Sequence, residues 1–100
     1  MRRKVITLPP AELDISEAYF YFERKREGLG EVFLARIGDS YERIADAPEG
    51  YALISNLGIR KARLRQFPFV IGYFMENEDV VILGVLHGSR DPEAWKSRLR

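Results

Sequence analysis

The sequence predicts an α+β domain: a helical hairpin packed on one face of a small, mainly antiparallel sheet, in the order β-α-α-β-β-β-α. Three observations lead there. Apolar residues recur at three- and four-residue spacing between Ala11 and Ile44, the period of a helix face. Beyond Tyr51 that period disappears, and Phe67 to Met75 and Val80 to His87 are apolar at almost every position, as in central strands covered on both faces. Strands that follow a pair of helices argue for separate helical and sheet layers.

Taken in order, Arg3 to Leu8 reads as a short first strand, stopped by Pro9-Pro10, which cannot continue a ladder. From Pro10 onward Ala11, Ile15, Ala18, Tyr19 and Phe22 line one helix face. Gly28-Leu29-Gly30 breaks that helix. A second helix carries Leu29, Phe33, Ile37, Tyr41 and Ile44 in line and stops near Ala47-Pro48. So short a break folds the two back as an antiparallel pair. Ile59 to Arg65 alternates imperfectly, with Lys61, Arg63 and Arg65 on one side and Ala62 and Leu64 on the other, the pattern of a half-buried strand. Glu76 to Asp79 suits a hairpin loop between the two apolar strands. Asp91-Pro92-Glu93 supplies a cap, a first-turn proline and an acid facing the helix dipole, so a short terminal helix carrying Trp95 follows.

Composition bounds the chemistry. One hundred residues, 46% hydrophobic and 12% aromatic, suffice for one domain spanning 1–100 with a core that needs neither metal nor disulfide. The absence of cysteine removes a disulfide framework, a thiol nucleophile and the usual zinc ligands, and it suits a reducing cytoplasm. The longest apolar run, Val80 to Leu86, falls far short of the roughly 20 residues that span a bilayer, and MRRKVITLPPAELD has no apolar stretch of signal-peptide length. A soluble cytoplasmic protein with no membrane partner is expected. A single histidine and scattered carboxylates make no metal cluster, and Gly28-Leu29-Gly30 has no lysine or serine to complete a phosphate loop; neither metal nor cofactor is expected.

The net charge of +1 hides an asymmetry. Acids concentrate between Glu12 and Glu49, whereas Arg60 to Arg65 (RKARLR) holds four basic residues and no acid. Arg2, Arg3 and Lys4 at the start and Lys96, Arg98 and Arg100 at the end add positive charge. Gathered on one face, such residues favour an anionic partner; dispersed, they only solvate strands and guard edges.

Several marks, in order, resemble the RelE/ParE family, the plasmid-stabilisation type of toxins of type II toxin–antitoxin systems. They are Ala18-Tyr19-Phe20-Tyr21-Phe22-Glu23 in the first helix, Gly28-Leu29-Gly30 with Phe33 at the helix junction, and Ile44, Pro48 and Tyr51 at the end of the second helix. Ile59-Arg60-Lys61, Phe67-Pro68-Phe69, Ile71, Tyr73, His87, Arg90-Asp91-Pro92 and Trp95 complete the set. The resemblance spans nearly the whole chain and implies the fold inferred above.

It also implies one of two activities. RelE-like members cut messenger RNA on the ribosome, and ParE-like members poison DNA gyrase. RNA cleavage through the 2′-hydroxyl needs a base, an acid and cations for the phosphorane charge. Arg60, Lys61, Arg63 and Arg65 supply cations, Arg90 a phosphate clamp, and His87, the single histidine, an acid or base. A lone histidine ending a strand also reads simply as a hydrogen-bonded structural residue. Where ribonuclease members tend to carry a tyrosine, this chain has Trp95, whose indole N–H donates a hydrogen bond but is no general acid. The ParE-like alternative asks only for a surface, for which Arg60, Lys61, Arg63, Arg65, Arg90 and Trp95 are the candidate contacts. Phe67-Pro68-Phe69 and the ending LHGSRDPEAW look closer to that branch. A third alternative is a non-toxic remnant that only binds an antitoxin.

The resemblance further implies a cognate antitoxin as partner, wrapping the toxin in a hetero-oligomer. Tyr19, Phe20 and Tyr21 are the candidate antitoxin-binding residues, in a groove between hairpin and sheet. Phe20 lies off the core stripe, which suggests docking; packing under a neighbouring loop is the alternative.

Overall fold

The computed structural model describes residues 2–54 and 56–99. Its elements are β1 (Val5–Thr7), α1 (Pro9–Lys25), α2 (Leu29–Asp46), a 3-10 turn (Pro48–Gly50), β2 (Leu53–Ile54), β3 (Ile59–Arg63), β4 (Phe69–Glu76), β5 (Asp79–His87) and α3 (Pro92–Lys96). The sheet runs β1-β5-β4-β3-β2. β1 lies parallel to β5, and every other pairing is antiparallel. The α+β class and the helical hairpin match the reading of the sequence. β2 is an addition: two residues pairing Leu53 with Arg60 and Ile54 with Ile59 are too few to show a period. β1 is shorter than expected because Pro9 and Pro10 occupy the first turn of α1, where a missing N–H costs nothing.

The α1–α2 junction is sealed by one side chain. Gly28 adopts φ 91°, and the Glu23 carboxylate accepts hydrogen bonds from the Gly28 and Gly30 N–H groups, both at 2.8 Å. Glu23 therefore caps the otherwise unsatisfied start of α2. At the far end of the sheet Asn77 and Glu78 turn the β4–β5 hairpin with φ 53° and 70°, the pair of positive values that a tight two-residue hairpin of the right twist requires.

Two cores result, one on each face of β4 and β5. On the hairpin side Phe33, Ile37 and Ile44 pack on Ile71, Tyr73, Ile82 and Val85, with Phe22, Phe33, Phe67 and Phe69 in edge-to-face and tilted contact at 4.8–5.8 Å between ring centres. On the opposite side Ile54, Ile59, Leu83 and Leu86 gather around Trp95 of α3. A register shift at Gly72/Tyr73 sets Gly72 opposite Gly84 but Tyr73 opposite Ile82. Leu83 is thus the extra residue of a bulge, and the strand bends there.

Candidate target-binding face

The second core defines the site. Trp95 is 5% exposed, and its ring lies against the paired glycines of β4 and β5. A Cβ at Gly72 would sit 2.3 Å from Cζ3 of the indole, and one at Gly84 would sit 3.2 Å from the same atom. Two facing glycines thus make a flat floor for one aromatic ring. The Asp91 side chain caps α3 by accepting from the Glu93 N–H at 3.1 Å. Together these anchors place the turn between β5 and α3 above the sheet.

His87 and Arg90 lie at the two ends of that turn. The Arg90 N–H donates to the His87 carbonyl at 3.0 Å, and the Gly88 N–H donates to the Pro68 carbonyl at 2.8 Å. Ile54, Lys61, Val70, His87, Arg90 and Trp95 border a hollow of about 130 Å³. A second of about 390 Å³ is bordered by Arg63, Phe67, Phe69, Val70, His87 and Ser89. The two share Val70, His87 and Gly88, and among the described residues no carboxylate lines either. The first is below the roughly 300–1,000 Å³ typical of small-molecule sites, and suits one charged group rather than a whole ligand.

Strand parity sorts the predicted contacts. His87 pairs with Phe69 of the hairpin side, their ring centres 5.7 Å apart, and borders the hollows from the end of the sheet. Lys61 and Arg63 share the α3 side with Ile59 and face the hollows with Arg90. Among the described residues none of these three cations takes part in an ion pair. Arg60 points the other way: its guanidinium donates to the carbonyls of Tyr51 at 2.5 Å and Glu49 at 3.4 Å. It braces the loop after α2, beside Tyr73, whose hydroxyl donates to the Pro48 carbonyl. Burial pushes the Tyr73 phenol up to about 12, against a smaller opposing effect of the Arg60 charge. Arg65 lies beyond the end of β3, exposed in the loop.

The His87 ring has a defined tautomer. Its Nδ1 accepts from the Ser89 N–H at 3.1 Å and lies 2.8 Å from Ser89 Oγ. A backbone N–H can only donate, so the hydrogen of the neutral ring sits on Nε2. What His87 offers outward is a donor.

The predicted antitoxin contacts separate as well. Phe20 and Tyr21 are 55% and 47% exposed, with Leu13 at 59% two helical turns before Phe20; no loop covers Phe20. Tyr19 is turned into the hairpin junction, its hydroxyl donating to Glu31 at 3.0 Å and its ring against Gly30. Glu31 raises its pKa above the ordinary value, chiefly through that hydrogen bond.

Reading the sequence did not single out Asp14, Arg98 or Glu23 for what they do here. Asp14 and Arg98 are 84 residues apart and form a bidentate pair at 2.6 and 3.0 Å. Nothing in a single sequence links them. Among the described residues no group of three or more histidine, cysteine, aspartate or glutamate side chains is placed to hold a metal ion, and no helix is long and apolar enough to cross a membrane.

A family model described as the ParE toxin of the type II toxin–antitoxin system parDE matches residues 5–92. No curated protein sequence matches the chain. Among solved structures, the chromosomal ParDE toxin–antitoxin system from P. aeruginosa superposes with a TM-score of 0.72 at 16% identity, over 86% of this chain and 96% of that one. The toxin–antitoxin complex RelBE2 from Mycobacterium tuberculosis gives 0.60 at 18% identity, over 87% and 99%. Both likenesses are of fold.

Proposed function

The chain belongs to the ParE toxin family of type II toxin–antitoxin systems, and from that premise we propose that it arrests bacterial growth by binding DNA gyrase in the cytoplasm. In this reading the face built from Lys61, Arg63 and Arg90, with His87 at its edge where the sheet ends, is the contact surface. The observation that carries it is the state of His87. With Nδ1 occupied by the Ser89 N–H, the ring presents a hydrogen and no free lone pair, so it does not offer the base that a 2′-hydroxyl attack requires. Trp95, sealed against Gly72 and Gly84, has only an N–H to donate and cannot serve as that base either. What is left on the face is cations and a donor, the equipment of a binding surface.

A second reading, ribosome-dependent cleavage of messenger RNA, draws support from the same cations, which suit a phosphate backbone. Pulse incorporation of labelled thymidine and methionine, minutes after induction without antitoxin, separates the two. An early fall in DNA synthesis with translation intact is expected; an early fall in translation instead refutes gyrase as the target. Neutralisation is assigned to a cognate antitoxin seated on α1 at Leu13, Phe20 and Tyr21, whose exposed apolar surface suits an amphipathic segment. Phe20→Ala should weaken that complex while leaving growth arrest intact, and unchanged affinity removes α1 as the docking helix.

A further inference from the structure

Asp14 joins three parts of the molecule: α1, β5 and the segment that carries Arg98. It is on α1, yet its Oδ2 accepts from the Val85 backbone N–H at 2.9 Å, and both its oxygens bind the Arg98 guanidinium. Arg98 in turn donates to the Leu83 carbonyl at 3.4 Å. Leu83 is the bulge residue of β5 and Val85 lies two residues after it, both beyond Ile82, the last β5 residue that β1 reaches. A backbone donor and a backbone acceptor are therefore left without a strand partner. The carboxylate takes the donor and the guanidinium takes the acceptor, so an ion pair stands in for the missing strand. The side chains of Arg98 and Asp14 are 22% and 11% exposed, and Asp14 raises the pKa of Arg98 through their hydrogen bond.

We infer that Asp14 and Arg98 are positioning residues for Arg90: they latch the C-terminal strap, residues 91–99, onto the β5 edge and so hold the turn that carries Arg90 over the target-binding face. Two observations beyond the ion pair support this. The strap has one other deep anchor, Trp95 on its glycine floor, so Arg98 fixes the end that the indole does not. Arg90 also borders a groove lined by Asp14, Glu17 and Arg98 as well as the hollow shared with Lys61 and Trp95. Arg98 takes the Asp14 charge in that groove, and Arg90 makes no ion pair among the described residues.

The inference rests on the proposal that this face meets the target, and its test keeps the two apart. Asp14→Asn keeps an oxygen for Val85 and removes the charge; Arg98→Lys is the milder partner variant. Hydrogen exchange on the purified chain should quicken by roughly 10- to 100-fold at the amides of Val85, Arg98 and Leu99, as one lost charge-assisted hydrogen bond implies. The amides of β4 should not change. Induced without antitoxin, Asp14→Asn should arrest growth less than the parent, as Arg90→Ala does. The exchanged pair Asp14→Arg with Arg98→Asp should restore neither property, because Val85 needs an acceptor from position 14 and Leu83 a donor from position 98. Unchanged exchange in Asp14→Asn overturns the latch. Faster exchange with full arrest, where Arg90→Ala is impaired, overturns the positioning role. Full arrest by Arg90→Ala overturns the target face itself, and with it the positioning role, while exchange still reports on the latch. Rescue by the exchanged pair shows a simple charge contact and overturns the strand-replacing geometry.

Discussion

Gly72→Ala is the most informative single-atom perturbation of this fold. The added Cβ would lie 2.3, 2.6 and 2.7 Å from three atoms of the Trp95 ring, whereas carbon atoms in contact are about 3.5–4.0 Å apart. One of the two must move by about 1 Å. The strand cannot do so readily, since β4 is paired on both sides, Gly72 with Lys61 of β3 and with Gly84 of β5. The indole moves instead and loses its seat. Overpacking of a core costs about 1–3 kcal/mol, and complete loss of a buried tryptophan about 3–5 kcal/mol. The expected destabilisation therefore lies near 3 kcal/mol, roughly 12–24 °C in Tm for a domain of this size. The chain has one tryptophan, so its fluorescence reports the displacement directly, as a red shift in the folded baseline, while denaturant titration reads the energy. A double-mutant cycle closes the reasoning. In a Trp95→Ala background Gly72→Ala should cost under about 1 kcal/mol, because the atom it struck is gone and an overpacking penalty no longer applies. Equal costs in both backgrounds, or a Gly72→Ala protein with an unshifted indole and parental stability, would refute the account of the glycine floor.

Two further substitutions probe the hairpin face. Glu23→Ala removes the acceptor shared by the Gly28 and Gly30 N–H groups and should cost about 1–2 kcal/mol, with Glu23→Gln intermediate, as read by thermal unfolding; a neutral Glu23→Ala disproves the cap. Burial raises the Tyr73 phenol from 10 to about 12, so the folded state holds this proton more tightly than the unfolded chain. Its contribution is fully present below pH 10 and is lost as pH rises through about 12, in all about 2–3 kcal/mol. Tyr41, raised by burial, acts in the same direction. Denaturation midpoints between pH 9 and 12 should fall less steeply in Tyr73→Phe than in the parent, and parallel curves contradict this assignment.

Much of the architecture is legible before folding because it depends on local period. Ala11, Ile15, Ala18 and Phe22 repeat at helical spacing in one segment and Phe33, Ile37 and Ile44 in the next, and Val80 to Leu86 is apolar without alternation, so α1, α2 and the doubly covered β5 follow from side-chain direction along a helix or strand. The resemblance of the chain to its family is legible for a related reason: the family marks lie in these elements and at their ends. β2 escapes because two residues carry no period, and the parallel pairing of β1 with β5 escapes because nothing local encodes a partner some 75 residues away.

The site was legible as composition and decided as geometry. RKARLR announces positive charge, but only the register of β3 sends Lys61 and Arg63 to the α3 face beside Arg90 and turns Arg60 to the opposite face. That division follows from the two-residue alternation of a strand whose one buried face fixes its register. The Trp95 floor needs Gly72 and Gly84 opposed across β4 and β5, and the latch needs a bulge that leaves Val85 and Leu83 without a strand. By itself the sequence determined which segments become helix or strand and which residue types are available to a partner. Tertiary structure alone decided which of those residues share a face, because a long-range pairing is set by the packing of the whole sheet and not by any window of the chain.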